Sequence, residues 1–190
     1  TRPSTKRPNE MASIDRVFLI GLSGSGKSTV AKLAAELLGW TANDSDAEIV
    51  NQNGRSIADI FSEDGEESFR ELECALVQTM SSQPNQVLAL GGGAFTDTTN
   101  RCMLLKRGLV VWLDVDPTEA AERLNTSLHH EPRPLLQDDP VAHLIQLRAK
   151  RLPQYEQADL RINTAGLTAY EVAEKVVSAA EMTATATNAQ

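Results

Sequence analysis

Short apolar runs alternate with longer segments of helical period along most of the chain. In the helical segments apolar residues recur every three or four positions, as at Val30, Ala34 and Leu38, which is typical of amphipathic helices. The apolar runs between them have the length of buried strands. The predicted strands lie at about 17–20, 40–43, 87–90, 109–113 and 160–162. This alternation predicts an α/β fold of three layers (αβα), in which helices cover both faces of a central five-stranded parallel sheet.

Several helix ends carry their own signals. Gly39 follows the first helical pattern and is predicted to cap its carboxyl end. Ser56 and Asp59 have the spacing of a capping box, so a helix is expected to begin there. Another helix is predicted over 139–151, and Pro153 is expected to end it because proline disrupts a helix interior.

The two ends of the chain lack this periodicity. Residues 1–13 are polar and contain proline, and residues 182–190 are rich in Ala and Thr. Both are expected to be disordered tails on a single domain spanning 14–181.

A third aperiodic stretch, at about 124–137, lies inside the predicted domain. It is polar and holds Arg133 between two prolines, which predicts a mobile lid. His129 and His130 are adjacent within it. A metal site there stays open as an alternative, although solvated histidines on a lid are the simpler interpretation.

Composition limits the class of protein. The chain has 190 residues, of which 41% are hydrophobic, and a formal net charge of -8. The negative charge argues against nucleic acid or an anionic membrane surface as the main partner, and no apolar stretch approaches the ~20 residues of a membrane span. Cys74 and Cys102 lack metal or redox spacing, which is typical of reduced thiols in the cytoplasm.

The stretch 21–28 matches the phosphate-binding pattern G-x-x-x-x-G-K-[ST], with a predicted strand before it and a predicted helix after it. Its glycines allow successive N–H groups to face phosphate oxygens at the start of a helix. The pattern predicts that Lys27 reaches the β- and γ-phosphates and that the Ser28 hydroxyl binds Mg²⁺. The predicted nucleotide-binding residues are Gly24, Ser25, Gly26, Lys27, Ser28 and Thr29. The guanine-recognition pattern N-K-x-D is absent from the sequence, which disfavours a GTPase.

The remaining motifs occur in the order and spacing of one enzyme family. They are the Asp-Ser-Asp at 44–46 and the stretches 54–61, 65–73, 91–94, 133–136 and 151–155. From about Val17 to about Val177 the chain resembles the bacterial shikimate kinases. The resemblance implies a P-loop fold like that of nucleoside monophosphate kinases, with ATP, Mg²⁺ and shikimate as ligands. It also implies a cytoplasmic monomer that phosphorylates the shikimate 3-hydroxyl, a step of aromatic amino acid biosynthesis.

The resemblance also assigns roles on the acceptor side. Arg70 and Arg151 would clamp the shikimate carboxylate, a task suited to guanidinium groups. Asp46 would orient the attacking hydroxyl first and accept its proton second. The backbone N–H groups of Gly92 and Gly93 would contact the substrate where a side chain would block it.

On the donor side the resemblance assigns three further residues. Asp44 would hold Mg²⁺ through water, beside Ser28 as a direct ligand. Arg133 would close over the γ-phosphate beside Lys27 and neutralise charge during transfer. Arg123 would stack on adenine.

Three alternatives remain at this stage. Asp114 follows an apolar strand, as a Walker B aspartate would, but the resemblance makes it a strand-end carboxylate instead. A gluconate-type kinase has a similar phosphate loop, although Arg70 and the glycines at 91–93 favour a carboxylated ring. A non-catalytic nucleotide-binding regulator is the third alternative, and the joint presence of six charged residues argues against it. These are Lys27, Asp44, Asp46, Arg70, Arg133 and Arg151.

Overall fold

The computed structural model describes residues 14–126 and 139–188. Five parallel strands form one sheet in the order β2-β3-β1-β4-β5. The strands are β1 (Arg16–Ile20), β2 (Thr41–Asp44), β3 (Gln86–Ala89), β4 (Leu109–Asp114) and β5 (Leu160–Asn163). All five predicted strands are confirmed, and their bounds differ from the predicted ones by one residue at most.

Helices connect the strands and cover the sheet. They are α1 (Lys27–Leu38), α2 (Ser45–Asn53), α3 (Ile57–Glu63), α4 (Gly65–Met80), α5 (Thr98–Arg107), α6 (Pro117–Thr126), α7 (Pro140–Tyr155) and α8 (Ala169–Asn188), with a 3₁₀ turn at Ala94–Thr96. The predicted cap at Gly39 and the capping box of Ser56 with Asp59 are both present. None of the described helices is long and apolar enough to cross a lipid bilayer.

The hydrophobic core lies on both faces of the sheet, because successive side chains of each strand point to opposite sides. Val17 and Leu19 of β1 face the layer that contains α1 and α8. Phe18 and Ile20 face the other layer, where Trp112 of β4 is also buried. Burial on both faces explains why the strands read as continuous apolar runs in the sequence. The predicted three-layer architecture is confirmed.

The prediction that Pro153 ends a helix is wrong. Helix α7 continues through Pro153 to Tyr155, which is 1% exposed and packs against Trp112. A proline costs one helical hydrogen bond and crowds the carbonyl four residues earlier, that of Ala149. Because Pro153 lies in the last turn, burial of the Tyr155 ring outweighs that local cost.

The end of α8 also differs from the prediction. The helix extends to Asn188, so the disordered tail expected from residue 182 does not hold for residues 182–188. Alanine has the highest helix propensity, which favours continuation of a helix that is already nucleated. The Thr183 hydroxyl donates to the Ala179 carbonyl at 2.7 Å, as in a helix interior. Residues 189–190 and the predicted tail at 1–13 lie outside the described residues.

Candidate active site

Three segments that carry predicted site residues meet at the carboxyl edge of the sheet. The phosphate loop (21–28) follows β1, the Asp-Ser-Asp segment begins at the end of β2, and the glycine turn (91–93) follows β3. Because β3 lies between β1 and β2, the glycine turn lies between the other two segments. The carboxyl edge is where parallel α/β sheets bind their ligands.

The backbone of the phosphate loop requires glycine. Gly21, Gly24 and Gly26 have φ values of +146°, +80° and +85°, which side chains disfavour. A Cβ at Gly21 would also lie 2.5 Å from the carbonyl oxygen of Leu113. The loop therefore packs tightly against β4 and leads directly into the first turn of α1.

Lys27 lies across this loop. Its Nζ donates to the carbonyl oxygens of Gly21 at 3.0 Å and Leu22 at 2.8 Å. The helix N-terminus and the ammonium group thus place positive charge at the same point, as a phosphate site requires.

Ser28 and Asp44 lie together at the edge of this loop. The Ser28 hydroxyl donates to one carboxylate oxygen of Asp44 at 2.5 Å. The other oxygen of Asp44 caps α2 by accepting from the backbone N–H of Asp46 and of Ala47. One carboxylate oxygen is therefore structural, and the other lies with a hydroxyl beside the phosphate loop.

Oxygen atoms of this kind suit Mg²⁺. Magnesium commonly uses one or two protein ligands and keeps several waters beside the phosphates of a substrate. The described residues contain no group of three or more His, Cys, Asp or Glu that could hold a metal without a substrate. The pair of Ser28 and Asp44 therefore fits a metal that arrives with nucleotide.

The glycine turn meets three predicted site residues, one at each glycine. A Cβ at Gly91 would collide with the carboxylate of Asp46, and one at Gly93 would collide with the guanidinium of Arg70. A Cβ at Gly92 would lie 2.7 Å from Nη1 of Arg151. None of the three adopts a positive φ. Space for these side chains, rather than backbone freedom, therefore requires glycine at all three positions.

Arg70 is held by carboxylates of its own helix. It pairs with Glu73 at 2.7 Å and with Glu66 at 3.2 Å, and its guanidinium lies 5.3 Å from the centre of the Phe69 ring. The Glu66 side chain is 70% exposed, whereas that of Glu73 is 4% exposed. The pair with Glu66 is thus open to exchange with solvent or ligand, and the pair with Glu73 is not.

Glu73 is a residue of this site that the sequence analysis missed. Burial raises the pKa of its carboxyl group, Arg70 opposes the shift and the charge of Asp46 adds to it. A signal was present in the sequence, since Glu73 falls four residues after Phe69 and three before Leu76, on the apolar stripe of α4. A carboxylate on such a stripe needs a charged partner.

A cavity of about 270 Å³ lies on the other side of the phosphate loop. Arg123 of α6 lines it together with Ser25, Gly26 and Thr29. Arg123 also pairs with Glu119 at 2.5 Å. The cavity is completed by a segment that the sequence analysis did not single out, which contributes Thr164, Leu167, Ala169 and Val172.

Asp114 is the last residue of β4 and is 6% exposed. Its carboxylate accepts from Arg148 and from Arg161, both of which also lie over the Trp112 ring. Two guanidinium groups already compensate this charge. The interpretation of Asp114 as a strand-end carboxylate agrees with these contacts.

The predicted lid lies almost wholly outside the described residues. Arg133, His129 and His130 fall within 127–138, which the structure does not describe. Their predicted roles therefore stay predictions.

Comparisons with known proteins agree on one family. A family model for shikimate kinase matches residues 23–181. A curated shikimate kinase from Synechococcus sp. (strain RCC307) is 44% identical over 164 residues, which cover 85% of this chain and 82% of that protein. The structure of shikimate kinase from Acinetobacter baumannii in complex with shikimate has a TM-score of 0.83 at 35% identity, covering 90% of this chain and 94% of that chain.

A gluconokinase from Sinorhizobium meliloti bears on the gluconate alternative. Its structure has a TM-score of 0.64 at 20% identity, and the match covers 92% of this chain and 95% of that chain. At this identity the likeness concerns the fold alone.

Proposed function

The chain belongs to the shikimate kinase family and catalyses ATP-dependent phosphorylation of shikimate, and we propose that the carboxyl edge of its sheet is the catalytic cleft. One observation carries this assignment of residues. The glycine turn brings Asp46, Arg70 and Arg151 together beside the phosphate loop, although these residues are far apart in the sequence. A cleft with a phosphate site on one side and two arginines on the other suits transfer to a carboxylated acceptor.

The donor half would hold ATP. The residues 24–29 would surround the phosphates, and Lys27 would exchange its contacts with loop carbonyls for contacts with the β- and γ-phosphates. Arg123 and the cavity beside it would take the base. Ser28 and Asp44 would hold Mg²⁺, which neutralises phosphate charge when it is bound.

The acceptor half would hold shikimate. Arg70 would release exposed Glu66 to bind the carboxylate, while buried Glu73 would keep the guanidinium in place. Arg151 would bind the same carboxylate from α7, and the N–H groups of Gly92 and Gly93 would face the ring.

Asp46 would orient the attacking hydroxyl. It lies in the first turn of α2, and its carboxylate is close to the glycine turn. Phosphoryl transfer proceeds through a loose transition state, so orientation contributes more than a strong base. The role of proton acceptor is therefore secondary. Arg133 on the lid would complete the charge neutralisation, as the family resemblance implies.

The first test is ADP release with ATP, Mg²⁺ and shikimate, with gluconate in place of shikimate as the control. We expect ADP release with shikimate and none above background with gluconate. Release with gluconate alone would favour the gluconate alternative. No release with either acceptor would favour a non-catalytic nucleotide-binding protein.

Asp46→Asn separates the two roles of Asp46. If orientation dominates, the variant should bind shikimate at least tenfold more weakly, because an amide nitrogen replaces a carboxylate oxygen toward the hydroxyls. Calorimetric titration with shikimate measures this binding. Unchanged binding with turnover reduced about a hundredfold or more would instead make Asp46 a general base first.

We also propose that the protein acts as a cytoplasmic monomer, with no nucleic-acid or membrane partner. The net charge of -8 disfavours polyanions, and Cys74 and Cys102 are free thiols. Light scattering after size-exclusion chromatography should give the mass of one chain, 20.6 kDa. Twice that mass would contradict the monomer.

A further inference from the structure

In the glycine turn all three backbone carbonyls accept hydrogen bonds, whereas only one of the three backbone N–H groups donates to a described residue. The N–H of Gly91 donates to the Ser45 hydroxyl at 2.9 Å. The N–H groups of Gly92 and Gly93 have no hydrogen-bond partner among the residues that the structure describes. All three carbonyls accept, from the Ala94 amide at 3.0 Å, the Tyr155 hydroxyl at 2.6 Å and the Thr96 amide at 2.9 Å, respectively.

The hydrogen bond from Tyr155 fixes the orientation of a whole peptide unit, not only that of the Gly92 carbonyl. The Gly92 carbonyl and the Gly93 N–H belong to the same peptide unit, and in a trans peptide the two groups point in opposite directions. Glycine on both sides leaves no Cβ to resist rotation of that unit. The hydroxyl of Tyr155 therefore sets the direction of the Gly93 N–H.

Tyr155 is itself held rigidly. It lies at the end of α7 with 1% of its surface exposed, and its ring centre is 5.7 Å from that of Trp112. Burial raises the pKa of the phenol, which keeps the hydroxyl protonated as a donor. Arg151 lies one turn earlier on the helix, and its positive charge opposes the effect of burial on the pKa of the phenol. Arg151 in turn lies against Gly92.

We propose that Tyr155 is a positioning residue for the acceptor substrate, because its buried hydroxyl holds the Gly92 carbonyl and so directs the Gly93 N–H beside the Arg151 guanidinium. This inference rests on the proposed placement of shikimate against the glycine turn. A phenylalanine would fill the same space against Trp112, so the proposal concerns the hydroxyl alone.

The test compares two tyrosine variants that lose the same atom. Tyr155→Phe removes the buried hydroxyl, and Tyr170→Phe removes that of a tyrosine that is 50% exposed on α8. In Tyr155→Phe the Gly92 carbonyl loses its donor, so we expect the KM for shikimate to rise roughly 5- to 50-fold. The KM for ATP should stay within about twofold of wild type, and Tyr170→Phe should match wild type in both constants.

Three outcomes would overturn the positioning role. In the first, Tyr155→Phe has wild-type KM values for both substrates. In the second, both KM values rise together with a fall in melting temperature, which indicates a general loss of packing. In the third, Tyr155→Phe has no effect when it is added to Arg151→Ala, which shows that the hydroxyl acts on Arg151 alone and not on the peptide.

If Tyr155→Phe does not fold, a second variant tests the proposal. 4-Aminophenylalanine at position 155 keeps an N–H donor for the Gly92 carbonyl and should keep the wild-type KM for shikimate within about threefold. A larger rise with normal ATP affinity would overturn the proposal. If wild type and Tyr170→Phe show no shikimate-dependent ADP release, the proposed placement of shikimate fails instead, so the two failures are distinguishable.

Discussion

The two halves of the cleft are built in different ways. The phosphate loop is one continuous stretch, and its proposed binding groups are largely backbone N–H groups positioned by glycines of positive φ. The acceptor half gathers side chains of α2, α4 and α7 around a turn whose glycines have ordinary φ values. Glycine is required by conformation in the first case and by space in the second. The proposed nucleotide site therefore depends on local backbone geometry, and the proposed acceptor site depends on how distant helices pack.

Removal of the Lys27 charge should have the largest effect, and it should fall on the donor half alone. Lys27→Met keeps the aliphatic stem but leaves phosphate charge without its ammonium partner, so kcat should fall roughly 10²- to 10³-fold. Steady-state kinetics measures kcat, and calorimetric titration should show shikimate binding within about threefold of wild type. Lys32→Met, exposed on the same helix, is the matched control. A loss of shikimate binding in Lys27→Met as large as the fall in kcat would contradict the distinction between a donor half and an acceptor half.

Replacing one glycine in each half by alanine should distinguish a glycine that is required for its backbone conformation from one that is required because a side chain would collide. Gly24→Ala forces φ = +80° on alanine and drives its Cβ into the backbone carbonyl of Ala120, so unfolding free energy should fall by about 2–4 kcal/mol. Gly93→Ala keeps an ordinary φ and meets the end of the Arg70 side chain rather than backbone, so stability should fall by less than in Gly24→Ala while the KM for shikimate rises at least roughly tenfold.

Denaturant unfolding and steady-state kinetics provide both measurements. Gly54→Ala is the control, because Gly54 has φ = +64° with nothing within 4 Å of an added Cβ, and it reports backbone strain without a collision. Equal stability losses in Gly24→Ala and Gly93→Ala would contradict the distinction between the two kinds of glycine.

The same contrast explains what the sequence could predict. The phosphate loop could be predicted because its residues are contiguous in the sequence. The strands could be predicted because burial on both faces makes them apolar throughout. The role of Tyr155 could not be predicted without the fold, because its partner, the Gly92 carbonyl, lies 63 residues away in the sequence. The position of Glu73 on the apolar stripe of α4 indicated a buried carboxylate, but its place beside Gly91 depends on the fold. The end of α7 was mispredicted for a related reason, since the Pro153 rule is local and the packing of Tyr155 on Trp112 is not.

The smallest predicted effect concerns the charge buried in the acceptor half. Burial raises the pKa of Glu73, so the folded state binds a proton more tightly than the unfolded state. The stability contributed by the protonated form is therefore present at pH values below the unfolded pKa, near 4.5, and is lost as the pH rises through the folded pKa. Glu73→Gln cannot ionise, so its stability relative to wild type should improve as the pH rises from about 4 to about 7.

Denaturant unfolding at a series of pH values measures this difference. Glu71→Gln, exposed on the same helix, supplies the baseline for loss of a carboxylate from α4. A stability difference between Glu73→Gln and wild type that is flat, or that moves in favour of wild type as the pH rises, would mean that Arg70 outweighs burial at this carboxylate. In that case the acceptor half would be held by a net favourable ion pair, and Glu73 would stabilise the fold at neutral pH as well as position Arg70.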